Sequence, residues 1–166
     1  MKKLFSILCL VALAFTLSSC ANKKKNQYAG VDGDYVNGTP LADRKEGSAF
    51  FSDNVVKGQY PPVYFGFDSY SVGDSEKGKI DDVAAAIKDS QKTIIVAGFT
   101  DERGTDEYNR GLGEKRAEAV RQALIDKGVS AGRIQTVSFG KEMPADSGSG
   151  DAAWAKNRRV EFGVVK

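Results

Sequence analysis

The chain has 166 residues, 24 lysines and arginines against 22 aspartates and glutamates, two cysteines and no histidine. Without imidazole the commonest general base and metal ligand is missing, which excludes Ser-His, Cys-His and imidazole-zinc chemistry, and no cofactor or metal site is read from the sequence. A net charge of +2 provides no broad basic field of the kind that dominates binding to a phosphate backbone, so nucleic acid is excluded as a partner.

Lys2 and Lys3 precede an apolar run of fourteen residues from Leu4 to Leu17, a length that suits a secretion signal and is short for a membrane-spanning helix. The run ends in Leu17-Ser18-Ser19-Cys20-Ala21. That string resembles the lipobox of bacterial lipoproteins, in which the cysteine is acylated and becomes the first residue of the mature chain. Residues 1–19 are therefore read as a signal peptide. Cys9 leaves with it, Cys20 is the lipidation site, and no intramolecular disulfide is possible in the mature chain. One acyl chain anchors only marginally, at about 0.8 kcal/mol per buried methylene, and the resemblance implies two or three. The same resemblance implies that Ala21, standing after the cysteine where aspartate is absent, favours sorting to the outer membrane. Removal of Lys2 and Lys3 leaves 22 basic against 22 acidic side chains, and Lys23-Lys24-Lys25 reads as solvated charge beside the anchor.

Residues 20–59 are read as the lipidated N-terminus and a flexible tether, because Gly30, Gly33, Gly38 and Gly47 interrupt every periodicity. Phe50 and Phe51 are the exception and suit docking on the folded part. Residues 60–166 are enough for one core. Val63 to Phe67 is a short apolar strand, and 74–89 is a helix with Ile80, Val83, Ala84 and Ile87 at helical spacing. Thr93 to Phe99 is too continuously apolar to have one wet face and is predicted to be a central strand. A longer helix spans 106–127 and closes at Gly128. Strands at 134–139 and 159–165 flank a Gly/Ser/Asp loop and a helical turn near 152–156. The order β-α-β-α-β-β predicts an α/β (α+β) two-layer sandwich, a mixed four-stranded sheet with helices on one face.

The stretch from Phe99 to Arg116 carries the most chemistry. A strand runs into a polar turn, and the turn opens a helix bearing Gly111, Gly113 and Arg116. That arrangement sets the Asp101 carboxylate and the Arg116 guanidinium around one small site, and fixed opposite charges suit a zwitterion. From residue types alone Asp101 equally suits a turn or a cap. Arg116 equally suits a surface pair with Glu114, Glu118 or Asp101, at about 1 kcal/mol or less. The two glycines, each costing about 1 kcal/mol in a helix interior, suit close approach to the sheet or to a ligand.

The full string narrows these alternatives. Thr100-Asp101-Glu102-Arg103-Gly104, with Tyr108-Asn109, Leu112 and Arg116-Ala117, resembles the T-D-x-x-G…N-x-x-L…R-A signature of OmpA-like domains at every spacing. Phe65-Gly66-Phe67-Asp68-Ser69-Tyr70, Val137-Ser138-Phe139-Gly140 and Trp154-Ala155-Lys156-Asn157-Arg158-Arg159 extend the likeness from Val63 to the C-terminus. The Asp-Glu-Arg-Gly-Thr-Asp-Glu-Tyr-Asn form and the lipobox are similar to the peptidoglycan-associated lipoprotein branch. The resemblance implies non-covalent binding of peptidoglycan through the diaminopimelate of its stem peptide. In that reading Asp101 meets the ammonium and Arg116 the carboxylate, backbone amides at Asp68, Ser69 and Gly104 help fix carboxylates, Asn109 braces the turn and Leu112 lines an apolar wall, with Phe67 and Thr100 in the same site. It further implies a tie from outer membrane to wall within a Tol-Pal type system, with the periplasmic TolB protein as partner, and a structural role for Arg158. Two departures stand out: Phe99 where the family usually has histidine, and Ala97 where a carboxylate is common. The alternatives are a wall-binding lipoprotein without a Tol partner and, from another class, a carboxylate-dependent cell-wall hydrolase. Glycosidase carboxylates stand about 5 to 9.5 Å apart in settings that raise one pKa, whereas Asp101-Glu102 and Asp106-Glu107 are neighbours in a polar turn.

Overall fold

The computed structural model describes residues 35–36, 39–40 and 47–166. The signal, Cys20 and most of the segment read as tether lie outside the described residues. Strands β1 (Tyr35–Val36) and β2 (Thr39–Pro40) form a minimal antiparallel pair. The main sheet contains β3 (Val55–Lys57), β4 (Val63–Tyr64), β5 (Ile94–Phe99), β6 (Ile134–Gly140) and β7 (Arg159–Val165). Helices α1 (Asp74–Ile87), α2 (Asp106–Asp126) and α3 (Asp151–Asn157) complete it.

β5 is central. It pairs with β6 in parallel (Ile94↔Ile134) and with β7 antiparallel (Val96↔Phe162), while β3 and β4 both lie along the other edge of β7. All six residues of β5 are buried, as its unbroken apolar run predicts. Alternation divides them between two cores. Ile94 and Val96 face α1 and α2 and pack with Ile80, Val83, Val120, Leu124 and Phe162. Ile95, Ala97 and Phe99 face the opposite side, where Phe50, Val55 and Phe139 close over them.

The mixed sheet with its helices is the architecture the sequence predicts, with two differences. The sheet has five strands, because β3 joins it and Phe50 is fully buried, both from the segment read as tether. The packed domain therefore starts upstream of residue 60. The first predicted strand, 63–67, is shorter than expected. Phe65 N still donates to Arg158 O at 3.0 Å, but the chain then turns through Gly66 and through Asp68, which adopts φ +50°. Asp tolerates that left-handed conformation better than most side chains.

Two local devices aim the turn after β5. The parallel register slips between Gly98 (opposite Ser138) and Phe99 (opposite Gly140), and Thr100 N donates to Gly140 O at 2.8 Å. This bends the chain off the sheet at Thr100. Thr105 then caps α2 by accepting from Tyr108 N at 3.2 Å, and Asp106 and Glu107 suit the positive end of the helix. Of the two helix glycines, Gly113 lies hard against the sheet: a methyl on Gly98 would fall 1.9 Å from Gly113 O, and one on Gly113 would fall 2.4 Å from Ser138 Oγ. Gly111 has open space where a Cβ would go, so packing does not account for it. At the far end, Gly128 (φ +93°) closes α2 as predicted.

Candidate functional site

The turn from β5 to α2 and the turn after β4 enclose a cavity of about 230 Å³. Thr100, Asp101, Gly104, Asn109, Leu112 and Arg116 line it from the α2 side and Phe67 and Asp68 from the other. Of the residues that the resemblance sets against the ligand, all but Ser69 line this cavity. Ser69 contributes its carbonyl to Arg116 from behind.

Arg116 is fully buried, which a surface pair with Glu114 or Glu118 does not permit. It makes no ion pair with any carboxylate among the described residues. Its Nε donates to Ser69 O (2.8 Å), and its two terminal nitrogens donate to Phe99 O (2.9 Å) and Gly66 O (3.1 Å). Three of five N–H groups thus bind neutral carbonyls, and the guanidinium lies over the Phe65 ring. Burial pushes its pKa down from 12.5 to about 10, against the opposing pull of Asp101, so it is a cation at neutral pH. The backbone of the 66–69 turn therefore presents carbonyls to Arg116, where the sequence suggested amides for a ligand.

Asp101 does not pair with Arg116. One oxygen accepts from the backbone N (3.2 Å) and Nε (3.1 Å) of Arg103, the other from an Arg103 terminal nitrogen (2.7 Å) and from Arg158 (3.4 Å). All four lone-pair positions are engaged. Burial raises the carboxyl pKa, but the hydrogen bonds and charge of Arg103, with the bond from Arg158, outweigh it and hold the group below the ordinary 3.8. Arg158 also donates to Phe65 O at 3.0 Å, tying the two turns together. The loop before α3 is held by Asn157, whose side-chain oxygen accepts from Ala145 N and Asp146 N.

Two lining residues were not singled out from sequence. The Arg103 guanidinium is clamped between the rings of Phe67 and Trp154, 4.0 Å from each centroid. A loop arginine beside Asp and Glu reads as solvated charge, and only its flanking aromatics, distant in sequence, signal otherwise. The Tyr108 hydroxyl donates to Asp68 across the cavity mouth. Asn109 braces the turn as expected, donating to Arg103 O (2.7 Å) and Thr105 O (3.0 Å). Thr100 Oγ1 is buried in the lining without a hydrogen-bond partner. The cavity thus offers an unpaired buried cation, an unsatisfied hydroxyl and, in Asp68, a carboxylate held by one phenol.

The OmpA family model matches residues 64–158, which contain every lining residue. A peptidoglycan-associated lipoprotein of Pasteurella multocida is 39% identical over 161 residues, covering 96% of this chain and 97% of its own. The chain belongs to the OmpA family, in its peptidoglycan-associated lipoprotein branch. Among solved structures, the peptidoglycan-associated lipoprotein of Burkholderia pseudomallei superimposes with a TM-score of 0.61 at 48% identity, over 62% of this chain and 88% of its own. The C-terminal domain of Helicobacter pylori MotB gives 0.59 at 26% identity, over 64% and 84%.

The departures of this OmpA domain from the usual family pattern fall on the far side of the sheet from the cavity. The Phe99 ring stacks on Phe139 (5.2 Å between centroids) and carries the Arg159 guanidinium 3.9 Å above it. Only its carbonyl reaches the site, through Arg116. Ala97 lies in the same layer.

Proposed function

We propose that this lipoprotein binds peptidoglycan non-covalently through the zwitterionic end of diaminopimelate, without catalysing its cleavage. The observation that carries this reading is Arg116: a buried cation, fixed by three carbonyls, with no carboxylate of its own at the base of a cavity. Holding such a charge out of water is costly unless something pairs with it. An incoming carboxylate can take the two free N–H groups in the planar geometry a guanidinium favours. Thr100 Oγ1 supplies one further donor. Asp68 and Asp101 form the negative side. Since Asp101 is saturated by Arg103 and Arg158, the ammonium meets Asp68 directly and reaches Asp101 by taking over a position held by Arg103. The aromatic clamp keeps Arg103 close when it yields that position.

The same reading places the protein at the outer membrane, anchored at acylated Cys20, with residues preceding the packed domain as tether to the wall and TolB as a partner. A wall binder without a Tol partner differs in that last point alone, and co-purification with TolB separates the two. The paired-carboxylate alternative is not favoured, since both oxygens of Asp101 are committed to arginines and its pKa is lowered, the wrong direction for a general acid. The direct test is sedimentation of residues 21–166 with purified sacculi. The expected result is that the protein pellets, free diaminopimelate releases it and no soluble muropeptide appears. Protein remaining in the supernatant would refute wall binding.

Phe99 provides a further test. Its ring lies outside the cavity, so Phe99→His should leave sacculus binding within about twofold. It should lower stability by roughly 1–3 kcal/mol in urea denaturation, because a polar ring enters an aromatic layer. Loss of binding with unchanged stability would mean that the side chain at this position contacts ligand.

A further inference from the structure

A groove of about 540 Å³ opens on the face of the sheet away from α1 and α2. Phe99 separates it from the first cavity: its carbonyl reaches Arg116, and its ring lies in the groove with the Arg159 guanidinium stacked on it. This floor is buried and internally satisfied, since Arg159 donates to Glu161 at 2.6 Å and to Met143 O at 3.3 Å. The rim has no such partners. Phe51 and Met143 remain 40% and 41% exposed, although Phe50, next in sequence, is wholly buried. Lys57 holds its ammonium 4.5 Å from the centre of the Phe51 ring and makes no ion pair among the described residues. Apolar side chains beside an ammonium on a flexible stem suit a bilayer interface, where the ring enters the acyl boundary and the amine reaches headgroups.

The position of the groove in the chain points to the same occupant. Phe51 ends the short 3-10 turn Gly47–Phe51, with which the packed domain begins after residues 20–46. Those residues span at most roughly 90 Å, so an acylated Cys20 keeps the groove within reach of its own membrane at high effective concentration. Weak contact is then sufficient. We infer that this face is a docking surface for the anionic phospholipid of the anchoring membrane, with Phe51 and Met143 entering the interface and Lys57 meeting phosphate. The inference rests on the reading of Cys20 as lipidated and is independent of the wall ligand. Because Phe99 stands between groove and cavity, contact with lipid leaves Arg116 uncovered.

Flotation of unacylated residues 21–166 with vesicles tests the surface without the anchor, and mass spectrometry of the mature N-terminus tests the anchor separately. Wild type should bind phosphatidylethanolamine vesicles containing phosphatidylglycerol about tenfold more tightly than phosphatidylcholine vesicles. Lys57→Glu and Phe51→Ser should each weaken binding to the anionic vesicles about tenfold, toward a background set by Lys23, Lys24 and Lys25. Both variants should still pellet with sacculi, and Lys57→Glu should melt with wild type, which separates lost contact from a damaged fold. Residues 21–166 contain no cysteine, so a fluorophore on the thiol of Met143→Cys reports the groove and one on Asp82→Cys reports the exposed side of α1. Spin-labelled lipid should quench the first and spare the second. Variants that bind vesicles as wild type does, or quenching confined to Asp82→Cys, would overturn the inference and leave the groove to a protein partner. Failure to pellet with sacculi alongside intact vesicle binding would remove the wall reading alone.

Discussion

Arg116→Ala is expected to abolish sedimentation with sacculi and to lower stability by roughly 3–5 kcal/mol, a loss typical of breaking a buried charged network. The two effects share one cause. The guanidinium joins the end of β5, through Phe99 O, to the turn after β4, through Gly66 O and Ser69 O, and those carbonyls would lose their donor. Each buried group left unpaired costs about 1–3 kcal/mol, less where water enters. Arg116→Lys separates stability from recognition. A lysine keeps the charge but cannot span three carbonyls and still present a planar fork. It should recover part of the stability and little of the binding. Urea denaturation alongside sedimentation checks both variants, and full binding by folded Arg116→Lys would contradict the assigned role.

Asp101→Asn is expected to weaken wall binding by roughly 10- to 100-fold and stability by about 2–3 kcal/mol, the scale of lost charge-assisted hydrogen bonds. The amide keeps the shape but loses the charge and two acceptor positions. Arg103 and Arg158 would then face a neutral group beside buried Arg116. The loss should also appear in the pH dependence. Asp101 has its folded pKa held below 3.8, so its contribution is complete above 3.8 and disappears as pH falls through the lower folded value. Wild type should therefore lose melting temperature on acidification below about pH 4, and Asp101→Asn should lose less over the same interval. Parallel curves for the two proteins would mean that Asp101 carries no linked proton in folding.

Legibility from sequence followed how local each feature is. β5 was readable because a strand buried on both faces must be apolar at every position, and the end of α2 because Gly128 marks it. β3 was not, since three residues among glycine and asparagine become a strand only when β7 supplies the partner. The shortened β4 was hidden for a related reason: the turn through Gly66 and Asp68 serves Arg116, forty-seven residues beyond Ser69. The residues read as touching ligand were legible as a motif, and all but Ser69 of them line one cavity. Their partners were not. Residue types alone suit Arg116 as a surface charge and assign Arg103 no role, whereas one is wholly buried and the other is clamped between rings from residues 67 and 154. Pairing of charges over such separations is decided by the fold: Asp101 and Arg116 line one cavity, as the sequence suggested, but each is held by its own network.

The most direct measurement of the central claim is calorimetry of residues 21–166 with a diaminopimelate muropeptide in two forms, one with the side-chain carboxylate free and one with it amidated. An amide removes the anion that Arg116 is proposed to take and leaves the rest of the ligand unchanged. The expected result is an affinity lower for the amidated form by roughly 10-fold or more, as for loss of a buried charge-assisted pair. Equal affinity for the two forms would show that Arg116 does not receive the carboxylate, and the zwitterion clamp would have to be abandoned.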